Sequence, residues 1–422
     1  MEQRKYHPGL GSIMVFIGLL AAYFLTFFVR MSASVVLPIL ASEWNMSAAL
    51  TSFISSLYFY AYAAMQPLSG ALNDRFGPSK VVSIGLLVSS VGAIIFAIAK
   101  EPLLLSVGRL LTGLGLAPML SGALVYQGAT FDPSKYSFFS GLIFFIGNLG
   151  AVISVAPLGK AISTWGRAYT YYGIFLITVI LAMMLFWGRR YDQISSVGEN
   201  GNIDISEIMS GLKAALKIVF SSKEILAICA VWTVLMGSLM SLQGLWAVTW
   251  SKIVYGFGPD KAMFWATLIG IGVMVGSVIG AMTKVEKGAR RRLIAFCSIS
   301  YSAAWLALVA MMRISAPYQV TACLGFVIGL VAGINQPHLT AAINEIAPKG
   351  RGGSVFGAVN MLVFITVIIA QSLTGILITG ISKGAAYTQN AFLGAFGVLA
   401  VATAISLFAI PGFVRNCERS SK

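Results

Sequence analysis

Twelve mainly apolar stretches follow one another along this 422-residue chain, and each has the length to cross a membrane. Crossing ~30 Å of hydrocarbon as a helix takes about 20 such residues. The runs fall at 12–40, 48–71, 80–99, 102–127, 137–160, 168–188, 225–253, 261–284, 292–312, 317–343, 353–377 and 387–412. Their Leu, Ile, Val, Phe, Ala and Gly are continuous rather than alternating, so they do not read as lipid-facing barrel strands. Helices that satisfy their own backbone polar groups remain. Composition agrees: 58% of residues are hydrophobic and 10% charged, against roughly a quarter charged in a soluble domain. These figures exclude a soluble enzyme, a secreted disulfide scaffold, a disordered chain and a fibrous repeat. The expected fold is an all-α membrane protein of twelve transmembrane helices.

The formal net charge of +15 comes from 29 bases and 14 acids. With both termini on one side, twenty bases fall in loops on that side, seven fall opposite, and Arg30 and Arg109 fall inside spans. That asymmetry is the positive-inside bias, which places both termini in the cytoplasm and makes the basic balance a topology signal, with no nucleic-acid partner implied. The first run is too long for a cleavable signal peptide and lacks its small-residue cleavage site. Cys229, Cys297, Cys323 and Cys417 have no disulfide or metal spacing. Asn45-Met46-Ser47 matches a glycosylation sequon in a very short loop and reads as chance. With short loops throughout, a bacterial cytoplasmic (inner) membrane is expected. There is no P-loop, nucleophile–base pair or His/Cys cluster, so no enzyme activity, cofactor or metal is expected.

The polar stretch 189–224 divides the spans six and six, giving bundles at 1–188 and 225–422. Within it Ile205, Ile208, Met209, Leu212, Leu216 and Val219 recur at helical spacing, with Lys213 and Lys217 off the stripe. This predicts an amphipathic helix on the cytoplasmic leaflet, acting as a tether. Glycines cluster inside helices, as at Gly276-x-x-x-Gly280, where they let membrane helices approach closely.

The loop after the second span reads Gly70-Ala-Leu-Asn-Asp74-Arg75-Phe-Gly77-Pro-Ser-Lys80. It resembles the G-x-L-x-D-R-x-G-x-x-[KR] signature of the major facilitator superfamily, at the place where that family carries it. A degraded copy follows Gly280, with Lys284, Glu286, Lys287, Gly288 and Arg290-Arg291-Arg292 but no Asp-Arg pair. Arg109-Leu-Leu-Thr-Gly113-Leu-Gly115 is similar to the family's R-x-x-x-G-x-G element, and Pro348-Lys-Gly350-Arg351-Gly352-Gly353 to a turn often seen before its eleventh span. The resemblance implies two pseudo-symmetric six-helix bundles around a midplane cavity that rock to expose it alternately. It also implies a gating role for Gly70, Asp74, Arg75, Gly77 and Lys80, a small-molecule substrate and a monomer in the lipid bilayer.

All acids fall in loops, termini or span ends, so Arg30 and Arg109 are deep cations without an evident acidic partner. An ionisable residue in hydrocarbon is a functional hypothesis by default, and a guanidinium fork matches carboxylate or phosphate. An anionic substrate supplies the missing counter-charge; alternatively, Arg109 bonds backbone carbonyls and polar groups of the first span. Phe27-Phe-Val-Arg30-Met-Ser32-Ala-Ser34 is similar to the first-span arginine segment of organic-anion symporters of the anion:cation symporter type. Those often carry an acid beside the arginine, where this chain has Val29. Further substrate-binding candidates are Tyr58, Tyr62, Asn148, Gln243, Trp246, Asn335 and Asn360, with Gln243 and Trp246 read as sharing one helix face. His338 is the candidate for proton coupling. The expected function is secondary active transport of a small organic anion (a carboxylate, sugar acid or similar nutrient) by proton symport. The alternatives are a drug/proton antiporter of the same fold and a transporter-like sensor.

Overall fold

The computed structural model describes residues 9–132, 135–192, 205–283, 285–314, 316–348, 351–383 and 387–414. Lys284, Lys349, Gly350 and Cys417 of the readings above lie outside the described residues. The first three spans are α1 (Leu10–Glu43), α2 (Ala48–Phe76) and α3 (Pro78–Ile98). The fourth is two helices, α4 (Pro102–Leu116) and α5 (Met119–Thr130), joined at Ala117-Pro118. Then come α6 (Tyr136–Ile153), α7 (Ala156–Gly188) and the linker helix α8 (Ile205–Ser221). The seventh span is α9 (Lys223–Ser241), a π-helical turn Leu242–Trp246 and α10 (Ala247–Tyr255). The last five are α11 (Pro259–Met282), α12 (Lys287–Ala310), α13 (Tyr318–Ile346), α14 (Gly352–Ile381) and α15 (Gln389–Ser406).

Local signals set many of these boundaries. Pro78, Pro102 and Pro259 open α3, α4 and α11, where the missing N–H costs no helical bond. Ser47, Ser222 and Thr388 cap α2, α9 and α15, accepting from the amides of Leu50, Ile225 and Ala391.

Among the described residues, eleven helices are long and apolar enough to cross a membrane by themselves. The fifth span is the difference. Its apolar helix stops at Ile153, because Ser154 and Val155 break the helical path. The path then resumes: Val152 lies against Gly270, the Ala156 amide donates to Thr267 Oγ1, and Gly159 lies against Met263. These contacts step antiparallel along α11, so residues 156–165 continue the fifth span and Gly166, at φ +81°, turns into the sixth.

The start of α1 packs on the end of the sixth span, with Gly11 against Tyr191 and Gly188 against Val15. At the other terminus, Gly412 lies against Ala227 near the start of α9. Both described ends and the linker therefore share one face of the molecule, called here the linker face. The loops carrying Lys100, Arg313 and Lys383 lie on the far face.

The two bundles meet mainly through α2 against α14 and α6 against α11. Near the far face the α2–α14 seam is tight. The Ala49 amide donates to Thr379 Oγ1 at 2.8 Å, and Gly375 lies against Ser52. Toward the linker face, residues 65–68 of α2 and 360–362 of α14 become partly exposed. The seam is closed on the far side and loosened on the linker side. Within the C-terminal bundle α11 and α13 cross closely: Gly276 abuts the Leu330 carbonyl and Gly329 that of Ile269, leaving no room for a Cβ.

The linker helix forms, and part of its apolar stripe packs on the bundles while Met209 stays exposed. Val219 and Ala215 are buried, and α8 packs on α14, α9 and α2. Lys213 and Lys217 are exposed.

Candidate substrate site

Arg30 lies in the middle of α1 and is 6% exposed. Its guanidinium is ringed by aromatic faces: Phe27 at 4.7 Å, Tyr62 at 4.9 Å, Phe364 at 5.3 Å, Tyr58 at 5.7 Å and Phe59 at 6.0 Å. The spacing of α2 accounts for three of these, since 58, 59 and 62 share a helix face. Phe364 comes from α14 across the seam. Its ring stacks on Phe59 at 5.9 Å and meets Tyr62 edge-on at 4.8 Å. No Asp or Glu among the described residues pairs with Arg30, and its Nε is buried without a hydrogen-bond partner. A desolvated cation–π contact contributes about 2 kcal/mol, whereas burying a charge costs several kcal/mol even after relaxation. The rings offset part of that cost and leave the guanidinium short of an anion.

Arg109, from α4, is fully buried. It donates to the backbone carbonyls of Val29 at 3.1 Å and Ser55 at 3.2 Å. Of the two sequence readings for this residue, the geometry displays the carbonyl one, extended from the first span to the second. Its guanidinium is 5.0 Å from the Tyr58 ring, so a single tyrosine lies within 6 Å of both cations. Gly113 permits this: its backbone lies against the Tyr58 carbonyl, where a Cβ would clash. Arg109 ties α4 to the residue preceding Arg30 and fixes where that cation points.

One turn toward the linker face, the Asn360 side-chain amide reaches Gln66 Oε1 at 3.4 Å across the seam, and both side chains are partly exposed. The structure therefore brings together Arg30, Arg109, Tyr58, Tyr62 and Asn360, and adds Phe27, Phe59, Gln66 and Phe364. Phe59 and Phe364 carried no signal that separates them from lipid-facing phenylalanines.

The other candidates lie elsewhere. Asn148 donates to Phe144 in its own helix, and Asn335 to Ser298 of α12. Gln243 and Trp246 do not share a face. The π turn has more residues per turn than an α-helix, so Gln243 points to Gly270 of α11. Trp246 instead donates to Thr374 Oγ1 at 3.0 Å and packs on Tyr387 and Phe392. The same π turn sets Gly244 beside Met31, next to Arg30.

His338 is buried near the linker-side end of α13, its Nε2 without a hydrogen-bond partner. Close by, Arg290 pairs with Glu345, and Arg291 pairs with Glu224 at 2.5 Å and Glu345 at 3.7 Å. These ion pairs join α9, α12 and α13.

The signature loop differs from an acid–base pair at a helix end. Asp74 is exposed and in no ion pair with Arg75, among the described residues. Gly70 leaves open space, and Arg75 and Lys80 lie over the Phe76 ring. Gly77 takes φ +82°, and a Cβ there would meet Asp192. Asp192, just past the sixth span, accepts from the Ser79 amide at 3.1 Å and the Ser79 hydroxyl at 2.5 Å, capping α3 from outside the helix. Burial holds its carboxyl above the ordinary range, with the two Ser79 bonds opposing that shift.

Known proteins share this architecture. An uncharacterized transporter of Bacillus subtilis, YybO, is 25% identical over 289 residues, 64% of this chain and 66% of that one. The chain thus spans just under two thirds of that relative's length. A gentisate transporter of Corynebacterium glutamicum is 24% identical over 80% of this chain and 75% of its own. Multidrug resistance protein 3 of Bacillus subtilis is 24% identical over 73% and 69%. Among solved structures, a bacterial homolog of the human lysosomal transporter Spinster, crystallised inward-facing and unoccupied, superposes with a TM-score of 0.70. It is 13% identical and the match covers 97% of this chain and 99% of that one. Residues 19–371 match the model of the Major Facilitator Superfamily, and with its helical spans and two-bundle seam the chain belongs to that superfamily of multi-pass membrane transporters.

Proposed function

We propose that this protein is a secondary active transporter that carries a small organic anion by proton symport, as a monomer in a bacterial cytoplasmic membrane with both termini inside. The observation that carries this reading is Arg30: a buried guanidinium at the seam between the bundles, faced by aromatic rings and, among the described residues, by no carboxylate. An anion is the partner it lacks. Support also comes from the relative named for gentisate, an organic anion. Segments 1–188 and 225–422 rock as units, and the loosened linker side of the seam is the entrance from the cytoplasm. The exposed Asp74 stands ready for a partner when that side closes. Proton coupling is assigned to the C-terminal bundle, at His338 beside Arg290, Arg291, Glu224 and Glu345.

A drug/proton antiporter is the second reading, motivated by the relative named for multidrug resistance. The aromatic cage would suit a cationic drug, but it already holds a cation, and Arg30 would repel a second. Uptake of labelled organic acids into proteoliposomes under an inward proton gradient decides between the two. Accumulation that collapses when the gradient is dissipated is the expected result. Absence of uptake for every acid, together with resistance to several cationic drugs in a pump-deficient strain, would establish the antiporter instead.

A further inference from the structure

We propose that the transported anion is a carboxylate borne on a flat ring, and that Phe364 is the group this ring displaces. The proposal rests on the anion reading above and sharpens it. Four of the five rings around Arg30 belong to the N-terminal bundle; the fifth, Phe364, reaches across from the other.

The order of groups along the seam matters. Gln66 and Tyr62 are one helical turn apart on α2, as are Asn360 and Phe364 on α14. A solute entering the loosened linker side meets the partly exposed Gln66–Asn360 pair first. Next comes the Tyr62–Phe364 ring pair, with its centroids 4.8 Å apart. Arg30 lies behind that pair, 5.3 Å from the Phe364 ring. No anion reaches the guanidinium until Phe364 moves.

What Phe364 leaves is a slot with the face of Phe59 on one side, the edge of Tyr62 on another and a cation at its end. A planar ring fits those surfaces as Phe364 does, stacked on Phe59 at an interplanar angle of 21° and edge-on to Tyr62 at 64°. Its carboxylate meets the guanidinium fork. A sugar acid would turn hydroxyls toward ring faces that cannot pair them, and acetate would leave the slot unfilled.

Displacement also has a mechanical consequence. Phe364 is on the helix whose far half is hydrogen-bonded to α2 through Thr379 and packed on it at Gly375. A ligand that binds better without Phe364 in place favours the state in which that ring has swung out of the cage.

The test is calorimetric titration of the purified full-length protein with benzoate, cyclohexanecarboxylate, acetate, gluconate, benzamide and tetraphenylphosphonium. Benzoate binds at least tenfold more tightly than acetate or gluconate, with cyclohexanecarboxylate between, and neutral benzamide does not bind. Phe364→Ala, or Phe364→Leu should the alanine variant not fold, tightens benzoate about tenfold, and benzoate keeps its lead over gluconate, because the stacking surfaces of Phe59 and Tyr62 remain. Arg30→Gln abolishes benzoate binding in either background. Gluconate binding as tightly as benzoate, or benzoate weakened by both Phe364 variants, overturns the ring assignment while the anion reading stands. Binding of tetraphenylphosphonium with no binding of any carboxylate overturns both.

Discussion

The two bundles treat arginine in opposite ways. In the C-terminal bundle Arg290 and Arg291 meet Glu345 and Glu224, so that cluster is internally compensated and braces three helix ends. In the N-terminal bundle Arg109 is held by two carbonyls and Arg30 by ring faces, and neither pairs with an acid among the described residues. A paired cation has little left to offer a ligand. One without an acid keeps part of its electrostatic deficit in a medium where charges interact strongly, and on the proposed reading a substrate anion removes it. On that proposed reading, the position of the acids separates a structural arginine from a binding one.

The largest expected effect attacks that distinction directly. Arg30→Gln lowers proteoliposome uptake of a transported acid about 100-fold or more, the loss of a charge-assisted bidentate contact, while circular dichroism and gel filtration remain as in the parent. If uptake survives, the unpaired cation is not the anchor.

Breaking the compensated cluster acts on stability instead. Glu345→Ala leaves Arg290 without its partner and Arg291 with one, costing roughly 2–4 kcal/mol, somewhat below a fully buried pair because these side chains are partly solvated. Thermal unfolding reads this loss, and an unchanged melting temperature would contradict the bracing role.

Arg109→Gln falls between the two classes. Orphaning the Val29 and Ser55 carbonyls costs about 1–3 kcal/mol, and uptake falls about tenfold through a misplaced Arg30, with Arg109→Lys recovering part of it. A 100-fold loss without any change in melting temperature would instead make Arg109 a direct substrate contact.

The smallest effect concerns Asp192, the acid just past the N-terminal bundle that caps α3. Asp192→Ala costs about 1 kcal/mol by removing both bonds to Ser79. Asp192→Asn keeps an acceptor and removes a charge whose pKa is raised by burial. A raised carboxyl contributes stability that is full below its unfolded pKa and lost as pH rises through the folded value. The asparagine variant is therefore at least as stable as the parent at neutral pH, and the parent gains on it as pH falls toward the ordinary carboxylate range. A gap that widened on acidification would reverse the sign and refute burial as the dominant cause.

Much of this molecule could be read from its residues alone. Apolar runs, charge asymmetry and the Gly70–Lys80 signature carry the class, the span number and the two-bundle plan, because solvation in lipid is a property of composition along a helix. Arg30 and Arg109 were legible for the same reason: a guanidinium in an apolar run is conspicuous whatever surrounds it. The break after Ile153 was not, since Ser154 and Val155 are ordinary residues in a membrane helix and only their backbone angles interrupt it.

Tertiary structure alone decided what surrounds each arginine. That depends on where carbonyls and rings from other helices arrive, and Phe364 stands 334 residues from Arg30 in a run of Val, Phe and Ile. The partner of the α3 cap was hidden likewise, with Asp192 lying 113 residues from Ser79. Trp246 and Gln243 were parted by a π turn that no periodicity announced. The sequence by itself determined that two charges lie in the membrane. Packing determined that one of them is a brace and the other faces the seam between the bundles, because a buried charge is defined by its neighbours and these come from distant parts of the chain.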